Sequence, residues 1–521
     1  MTTARALNAP PIDFARPLSI DLMLRRAVAN APGATALVGT SGRIDYRTLD
    51  EASNRAAHAL ARLGVRAGDR VAVSLPNDLP IVVAIMGIWK LGAVSVGVHR
   101  ALARPEKEFF LDDSGASVLL ADPGVAADIG ANLSQRAGLR DILTVDEWQA
   151  QLEEADASPP GRLVDPLDLA AVAYTSGTTG LPKGVMHSQH NALLPGAVSV
   201  HRGSFGPDEP IAVVHPLTIL NLMVLNPLTT LAALSTCVLC DRHDAPFLAG
   251  RIRDEKVACI SVVPTIFYEL LTSPEVSAAD LATLTKPRTG GAAMAEEIKR
   301  LFTERFGVRP VTSYASTEAP TLVTRQDEDA APVEGSCGPP LPHIELKILD
   351  DDDREVAVGE AGEVSFGPKR EGEWAGVYRT MLGYWERPEE TARTLRGGLV
   401  HSGDIGRIDE YGELHLLERR SQLIIRGGSN IYPAEVERVL RRDPRVVDCC
   451  VVGRPDERYG EVVVAFVEAA PESGLAVPDL LRLCEGNLAR YKVPSEIRIV
   501  GQLPRGPLGK VSRADVKRLA Q

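Results

Sequence analysis

The chain contains 521 residues, of which 45% are hydrophobic and 24% are charged. This length and composition are typical of an ordinary globular protein with several packed layers and more than one domain. The formal net charge of −12, without a long basic run, argues against a nucleic-acid partner, because phosphate binding favours a basic surface.

Neither the N-terminus nor the cysteines indicate a secreted or metal-binding protein. The opening sequence MTTARALNAPPIDFARP lacks the apolar core of a secretory signal, so we expect a cytoplasmic protein. Residues 211–240 contain no Lys, Arg, Asp or Glu, but prolines and asparagines interrupt them, which favours buried helices and strands over a membrane span. The seven cysteines are scattered, and Cys237 and Cys240 have no second pair at metal-ligand spacing, so we expect reduced core thiols.

Helical spacing and short apolar runs alternate along the N-terminal part of the chain. The spacing predicts helices over residues 22–31, 46–63 and 81–89 and strands over residues 70–75 and 94–98. Gly92 is expected to end the third helix. A polar, proline-ended stretch at 149–160 predicts a surface linker, and further strands are expected within 212–214, 236–239 and 259–264. This alternation predicts a mainly parallel sheet covered by helices on both faces.

A polar loop follows the apolar run 169–173. Its sequence, YTSGTTGLPKGV over residues 174–185, combines glycines, hydroxyl side chains and Lys183. Glycines allow backbone N–H groups to approach an anion, hydroxyls donate hydrogen bonds and a lysine adds a point charge, so the composition suits a polyphosphate. Lys183 is followed by Gly184, so the loop does not fit the P-loop pattern, and a flexible surface turn is the alternative interpretation.

The loop closely resembles the signature loop of the adenylate-forming enzymes, a family of acyl-CoA synthetases, luciferase-like enzymes and peptide-synthetase adenylation domains. RTGGAAM at 288–294 and SYASTEA at 313–319, each after a short apolar strand, resemble that family's GGAxL and YGxTE motifs. The resemblance implies that Tyr314 stacks on adenine, Thr317 contacts phosphate and Glu318 helps to hold Mg2+, a hard cation that prefers carboxylate and phosphate oxygens. It also assigns nucleotide binding in the loop to Thr175, Ser176, Gly177, Thr178, Thr179 and Lys183.

Further motifs follow in the family's order. Residues 335–400 show short alternating strands that suggest a small β-barrel subdomain, and HSGD at 401–404 resembles the TGD motif, which implies that Asp404 binds the ribose. By the same resemblance Arg419 contacts ribose and phosphate, and Ser421 lies at the hinge position that Asp or Lys usually occupies. LPRGPLGK at 503–510 is similar to the LPRTxxGK loop, so Lys510 corresponds to the lysine that reaches the adenylation site.

RGGSNIYPAEVE at 426–437 looks most like the acyl-CoA synthetase branch, which places Gly427 and Gly428 at the CoA tunnel. The resemblance implies an α/β fold with a large N-terminal domain, residues 1–420, for ATP and the acyl substrate. A small α+β domain, residues 421–521, would rotate about the hinge. In the implied reaction the carboxylate of an acid attacks the α-phosphorus of ATP, giving acyl-AMP and pyrophosphate, and the thiol of CoA then displaces AMP to give the acyl-CoA thioester. An adenylation-only enzyme and a catalytically inactive nucleotide-binding protein are the alternatives; the presence of Lys510 and Glu318 disfavours the second.

The sequence says least about the acid. Many relatives carry PLFH where this chain has Pro216 to Ile219, and Ile219 cannot form a hydrogen bond there. Together with Ala292, Ala293 and Ala315, it predicts an apolar, roomy pocket for a bulky aliphatic or alicyclic acid rather than acetate. Amino acids are disfavoured, because the Asp that such adenylation domains place after the segment matching 215–221 is missing. The pathway and the oligomeric state, with a homodimer as one option, stay open.

Overall fold

The computed structural model describes residues 10–130, 138–175, 182–290, 294–328, 330–331, 333–419, 422, 424–426, 429–456, 459–488, 490–506 and 510–521. The helices, in chain order, are α1 (Ile20–Asn30), α2 (Tyr46–Arg62), α3 (Leu79–Leu91), α4 (Arg104–Ser114), α5 (Pro123–Gly130), α6 (Val145–Glu153), α7 (Gln189–His201), α8 (Leu220–Met223), α9 (Thr229–Ala233), α10 (Ala245–Asp254), α11 (Pro264–Thr272), α12 (Glu296–Phe306), α13 (Pro388–Thr394), α14 (Pro433–Leu440), α15 (Val477–Asn487) and α16 (Arg513–Ala520).

The strands are β1 (Thr35–Val38), β2 (Arg43–Asp45), β3 (Arg70–Ser74), β4 (Val94–Gly97), β5 (Val118–Ala121), β6 (Asp141–Thr144), β7 (Leu169–Thr175), β8 (Lys183–Ser188), β9 (Ile211–Val213), β10 (Cys237–Leu239), β11 (Cys259–Val262), β12 (Lys286–Gly290), β13 (Val311–Ser316), β14 (Thr321–Arg325), β15 (Ile344–Leu349), β16 (Gly362–Pro368), β17 (Gly383–Tyr384), β18 (Leu395–Arg396), β19 (Leu399–Ile408), β20 (Leu414–Arg419), β21 (Ile424–Arg426), β22 (Ser429–Ile431), β23 (Val446–Asp456), β24 (Gly460–Ala469) and β25 (Glu496–Val500).

Two large sheets form the N-terminal part of the molecule. The first has the order β17-β8-β7-β4-β3-β5-β6, and the second has the order β14-β13-β12-β11-β9-β10-β1-β2. Within each sheet the central strands run parallel. Antiparallel strands occupy both edges of the second sheet, whereas the first sheet has antiparallel pairs only on the side of β8 and β17 and ends in the parallel strand β6 on the other. The predicted parallel sheet with helical crossovers is therefore confirmed, but it is divided between two sheets.

Helix α3 shows how the local sequence sets this architecture. Asp78 caps its N-terminus, and Gly92 ends it in the left-handed conformation at φ +76°, which glycine adopts without a Cβ clash. Its residues from Ile81 to Lys90 are all buried, because the helix packs between other elements on every side. The predicted helix and glycine stop are confirmed.

The remaining sheets are smaller. A third, antiparallel sheet has the order β15-β16-β19-β18 with β20 paired to β19, and it forms an open half-barrel in the region where the sequence predicts a small β-barrel subdomain. A fourth sheet, β22-β21-β24-β23 with β25 on β24, carries α14, α15 and α16 as the small C-terminal α+β unit. Pro433 occupies the first turn of α14, where its missing N–H is harmless.

Two sequence interpretations need correction. Residues 149–153 do not belong to a surface linker, because they complete helix α6, whose Trp148 and Leu152 face the core one helical turn apart. The RTG and SYAS parts of two motifs, residues 288–290 and 313–316, do not follow strands; they form the ends of β12 and β13. A polar strand end that carries functional side chains has little of the apolar alternation by which strands are predicted.

The uncharged stretch at 211–240 folds into β9, α8, a π-helical turn at Val224–Leu228, α9 and β10. Most of its side chains are buried in the N-terminal core. Among the residues that the structure describes, no helix is both long and apolar enough to cross a membrane. All seven cysteines are buried and unpaired, as expected for core thiols.

Candidate active site

Described residues of several predicted motifs come together where β8 begins, just after β13 ends and within β19. The signature loop joins β7 to β8, and Thr175 and Lys183 lie opposite each other in that antiparallel ladder. Ser176, Gly177, Thr178 and Thr179 lie outside the described residues, as do Ala292, Ser421, Gly427 and Gly428. Their assigned roles therefore remain predictions from the sequence.

Tyr174 anchors the start of the loop. Its ring stacks on Phe110 with centroids 4.3 Å apart, and its hydroxyl donates to Asp113 Oδ2 at 2.7 Å. Arg387 donates to the other oxygen of Asp113 at 2.8 Å. Burial, followed by the hydrogen bond and charge of Asp113, raises the pKa of Tyr174, so the phenol stays protonated and acts as a hydrogen-bond donor. The base of the loop is thus fixed by contacts that no motif contains.

Tyr314 and Asp404 come together across two sheets. Tyr314, on β13, donates its hydroxyl to Asp404 Oδ2, on β19, at 2.5 Å. Burial, followed by the negative charge of Asp404, raises the pKa of Tyr314 well above its ordinary value. Asp404 lies opposite Arg419 in the antiparallel β19–β20 ladder, so these two predicted nucleotide-binding positions are cross-strand neighbours.

The backbone just before Asp404 is fixed by hydrogen bonds to residues of β16. Ser402 Oγ donates to the carbonyl of Val364 at 2.6 Å and accepts the N–H of Asp404 at 3.0 Å. The N–H of Gly403 donates to Glu363 Oε1 at 3.0 Å. Gly403 has φ +72°, a conformation that favours glycine. These contacts explain physically why a small hydroxyl residue and a glycine precede the aspartate.

Glu318 is oriented by two hydroxyl groups. Ser316 Oγ donates to its Oε2, and Tyr384 Oη donates to its Oε1 at 3.0 Å. The ammonium of Lys183 lies over the Tyr384 ring, 5.3 Å from the centroid. Sequence analysis missed Tyr384. The one feature of the sequence that could have pointed to Tyr384 is the pair of aromatic residues, Tyr384 and Trp385, after Gly383, a glycine with φ +128°.

His187 supports Thr317 and was also missed. Its Nε2 donates to the carbonyl of Thr317 at 2.7 Å, and the ring is completely buried. Burial lowers the pKa of His187 to about 4, so the ring is neutral near pH 7. Asn221 Nδ2 donates to the carbonyl of Ser316 at 3.3 Å. The backbone from Ser316 to Glu318 is therefore fixed by side chains from β8 and α8.

Lys510 approaches this region from the C-terminal unit. It is exposed on the segment before α16, and its carbonyl accepts the N–H of Gly506 at 2.8 Å. His215, which follows β9, has its pKa lowered to about 4 by burial and then by the positive charge of Lys510. The structure thus places Lys510 near the carboxyl end of β9.

The acyl-pocket candidates are placed only in part. Ile219, which caps α8, and Ala315, on β13, are both half-buried. Beside Ile219, residues of β3, β4 and β7 and Thr218 enclose a cavity of about 20 Å³, too small for an acid. A larger open cleft of about 590 Å³ is lined by Asp241, Arg242, His243 and Glu269, and is too polar to match an apolar acid.

The molecule combines two αβ sheets, a half-barrel and a small C-terminal unit. With Tyr314, Asp404 and Lys510, this architecture is typical of a class of nucleotide-dependent enzymes. Residues 24–385 match the family described as AMP-binding enzyme, and residues 435–510 match the AMP-binding enzyme C-terminal domain. The chain therefore belongs to the AMP-binding, adenylate-forming enzymes, in their acyl-CoA synthetase branch.

Known relatives support this placement along the whole chain. The protein is 35% identical over 503 residues to an indoleacetate–CoA ligase of Aromatoleum aromaticum, covering 94% of this chain and 95% of that protein. It is 33% identical over 495 residues to a feruloyl-CoA synthase of an Amycolatopsis species, covering 95% and 97%. The crystal structure of ATP-bound MatB from Rhodopseudomonas palustris has a TM-score of 0.87 at 26% identity and covers 96% of this chain and 99% of that one.

Proposed function

We propose that this protein is an AMP-forming acid:CoA ligase acting on a bulky, apolar carboxylic acid. The observation that carries the proposal is the convergence of Tyr314, Glu318 and Asp404 at the edge that Lys510 approaches. Relatives that resemble the chain over more than nine-tenths of its length carry CoA-ligase names. In the first half-reaction, an acid carboxylate attacks the α-phosphorus of ATP, which forms acyl-AMP and releases pyrophosphate.

The candidate site residues have separate roles in that step. The ring of Tyr314 faces the adenine, the Asp404 carboxylate accepts hydrogen bonds from the ribose hydroxyls, and Thr317 donates to a phosphate. Thr175 and Lys183 border the loop that surrounds the polyphosphate. Lys510 adds positive charge beside the phosphoryl group as negative charge builds up in the transition state.

Glu318 fits a magnesium ion that arrives with ATP. Mg2+ in nucleotide sites commonly takes one or two protein carboxylates and completes its shell with phosphate and water oxygens. Each Glu318 oxygen accepts one hydroxyl hydrogen bond and keeps a further lone pair, so the carboxylate can still bind a cation. When bound, the ion would neutralise charge on the phosphates.

The second half-reaction would use a different arrangement of two domains, residues 1–420 and 421–521. Rotation about Ser421 would withdraw Lys510 and bring Gly427 and Gly428 to the tunnel through which the CoA thiol reaches acyl-AMP. Hinge residues absorb changes in φ and ψ and need no particular side chain, so serine is acceptable there. Ser421→Pro should hold one arrangement and block one half-reaction, because proline fixes φ near about −65°. A variant that keeps both rates would contradict the hinge.

An apolar side chain at position 219 supports the choice of a bulky, apolar acid. Indoleacetate and ferulate, the acids in the names of two relatives, are both bulky, and they extend the candidate acids from aliphatic and alicyclic to aryl acids. A panel of carboxylic acids with ATP and Mg2+, measured by pyrophosphate release, tests this choice. Acetate as the best substrate would contradict it.

The alternative is an enzyme that forms acyl-AMP and transfers the acyl group to another protein or carrier. Ser421 favours it weakly, because it lacks the charge that usually occupies this position. Incubation with ATP, Mg2+, the best acid and CoA, followed by quantification of acyl-AMP and acyl-CoA, separates the two functions. Acyl-CoA supports the ligase, whereas acyl-AMP that accumulates without thioester supports the alternative.

A further inference from the structure

Tyr384 contacts two predicted site residues that come from distant parts of the chain. Its hydroxyl donates to Glu318 Oε1 at 3.0 Å, and its ring lies 5.3 Å beneath the ammonium of Lys183. A cation over an aromatic face is attracted by the negative potential of the ring. One side chain therefore joins the lysine of the signature loop to the proposed metal-binding carboxylate.

The backbone around Tyr384 is firmly placed. Strand β17 adds to the edge of the first sheet with Tyr384 opposite Val185, and the N–H of Trp385 donates to the carbonyl of Gly184 at 2.7 Å. The N–H of Tyr384 donates to Thr391 Oγ1 at 2.8 Å. The ring is buried against Val185 and Met381. The hydroxyl position is thus set by the same strand that begins with Lys183.

This geometry restricts the Glu318 carboxylate. Because Ser316 and Tyr384 each donate to a different oxygen, rotation of the carboxylate about its last bond would break both hydrogen bonds. The carboxylate therefore keeps one orientation without a bound ligand. Loss of the tyrosine hydroxyl would release one of the two oxygens and leave the ring beneath Lys183 in place.

We infer that Tyr384 is a positioning residue that holds Glu318 for the metal–nucleotide complex through its hydroxyl and Lys183 for the phosphates through its ring. The inference rests on the proposed function. It predicts that the two parts of this side chain act separately. The hydroxyl should matter only when a divalent cation accompanies the nucleotide, and the ring should matter with or without the cation.

Binding of α,β-methylene-ATP, which cannot transfer its AMP group to an acid, tests this separation by calorimetry, with Mn2+ and with EDTA. In Tyr384→Phe we expect about tenfold weaker binding of the Mn2+ complex, the scale of a hydrogen bond to a charged group, and unchanged binding of the metal-free analogue. In Tyr384→Leu both should weaken. Tyr384→Phe in a Glu318→Gln background should weaken Mn2+-complex binding no further, because the hydroxyl acts through that carboxylate.

Tyr378→Phe is the matched control, because Tyr378 is also buried and its hydroxyl has no hydrogen-bond partner among the described residues. It should bind both forms like wild type. Equal losses with and without Mn2+ in Tyr384→Phe, no loss at all, or losses that add to those of Glu318→Gln would overturn the inference. Tyr384→Phe keeps the ring, so the test stands even if Tyr384→Leu fails to fold.

Pyrophosphate release by wild type is measured separately. Failure to release pyrophosphate with every acid would contradict the proposed function, while the binding comparison would still decide the role of Tyr384.

Discussion

The candidate site residues between positions 174 and 419 hold one another, whereas Lys510 comes from the C-terminal unit. Tyr314 binds Asp404, Tyr384 binds Glu318 and His187 binds the Thr317 carbonyl, all through buried or half-buried contacts. Lys510 is exposed on a short segment before α16. Groups that are already oriented can bind the ground state of a nucleotide, while a charge that depends on domain placement is suited to act in one step only.

The largest expected effect tests Lys510. Lys510→Ala should slow acyl-AMP formation by about two to three orders of magnitude, since one charge contact in the transition state is lost. The affinity for ATP should change little, because the remaining groups bind it. Single-turnover pyrophosphate release and ATP titration measure the two quantities. Lys517→Ala, which alters another exposed lysine of the same unit, should behave like wild type. Unchanged release by Lys510→Ala would disprove the assignment.

Asp404→Asn should show the opposite pattern. The asparagine can still accept the hydroxyl of Tyr314, so the fold is kept, but it loses the charge that strengthens the ribose hydrogen bonds. We expect the KM for ATP to rise roughly tenfold or more, with a smaller change in kcat. Steady-state kinetics at varied ATP measure this, with Asp353→Asn on the same half-barrel as the control. A loss confined to kcat would remove the distinction between the two parts of the site.

Glu318→Gln should weaken the dependence of turnover on Mg2+ and leave the fold intact. The amide keeps the shape and can accept the Tyr384 hydrogen bond, but it is a poorer ligand for a hard cation than a carboxylate. We expect the Mg2+ concentration for half-maximal pyrophosphate release to rise several-fold, on the scale of one charged contact. Circular dichroism checks the fold. A variant with the Mg2+ dependence of wild type would argue against this role for Glu318.

Acid should destabilise the two parts unequally. Burial lowers the pKa of His187 to about 4 and that of His343 to about 3. Between pH 6.5 and 5 the unfolded chain binds protons at these positions and the folded chain does not, so stability falls as the pH falls. Each histidine should remove about 1–2 kcal/mol by pH 5. Residues 421–521 contain no histidine and should be spared.

Tryptophan fluorescence can follow this difference, because all four tryptophans lie before residue 420. Urea unfolding monitored by fluorescence should shift to lower urea between pH 6.5 and 5. Hydrogen exchange of β23 and β24 reports on the C-terminal unit and should change less. A shift of the same size in both signals would show that another group dominates.

The smallest expected effect concerns the acid. Each additional buried methylene of a straight-chain acid should add up to ~0.8 kcal/mol, or roughly fourfold in kcat/KM, until the pocket is full. Competition between acids of increasing length measures this increment. Ile219→Ser should lower the preference for long acids and leave the KM for ATP unchanged. That result would show that the acyl pocket lies in the part of the site before residue 420. No change in selectivity would remove Ile219 from it.

The local sequence was sufficient to predict features that short stretches determine, such as the end of a helix or the passage from a strand to a loop. Glycine at position 92 ends a helix because only its backbone adopts the left-handed conformation freely, and the strand-to-loop passage at 169–175 follows from an apolar run that gives way to glycines and hydroxyls. The order of motifs also identified the family. The error at 149–153 arose because Trp148 and Leu152 face the core among polar neighbours, a helical pattern that composition alone conceals.

Tertiary structure alone decided which side chains meet. Tyr314 and Asp404 are 90 positions apart, Glu318 and Tyr384 are 66 apart, and His187 and Thr317 are 130 apart. Such pairs depend on the register of strands in different sheets, which buried apolar packing across the whole core sets. The motifs in the sequence could therefore propose a tyrosine, a glutamate and an aspartate as candidate site residues. It could not reveal that a second tyrosine donates to the glutamate, or that a neutral histidine donates to the carbonyl of Thr317, because a hydrogen bond between distant residues leaves no local pattern.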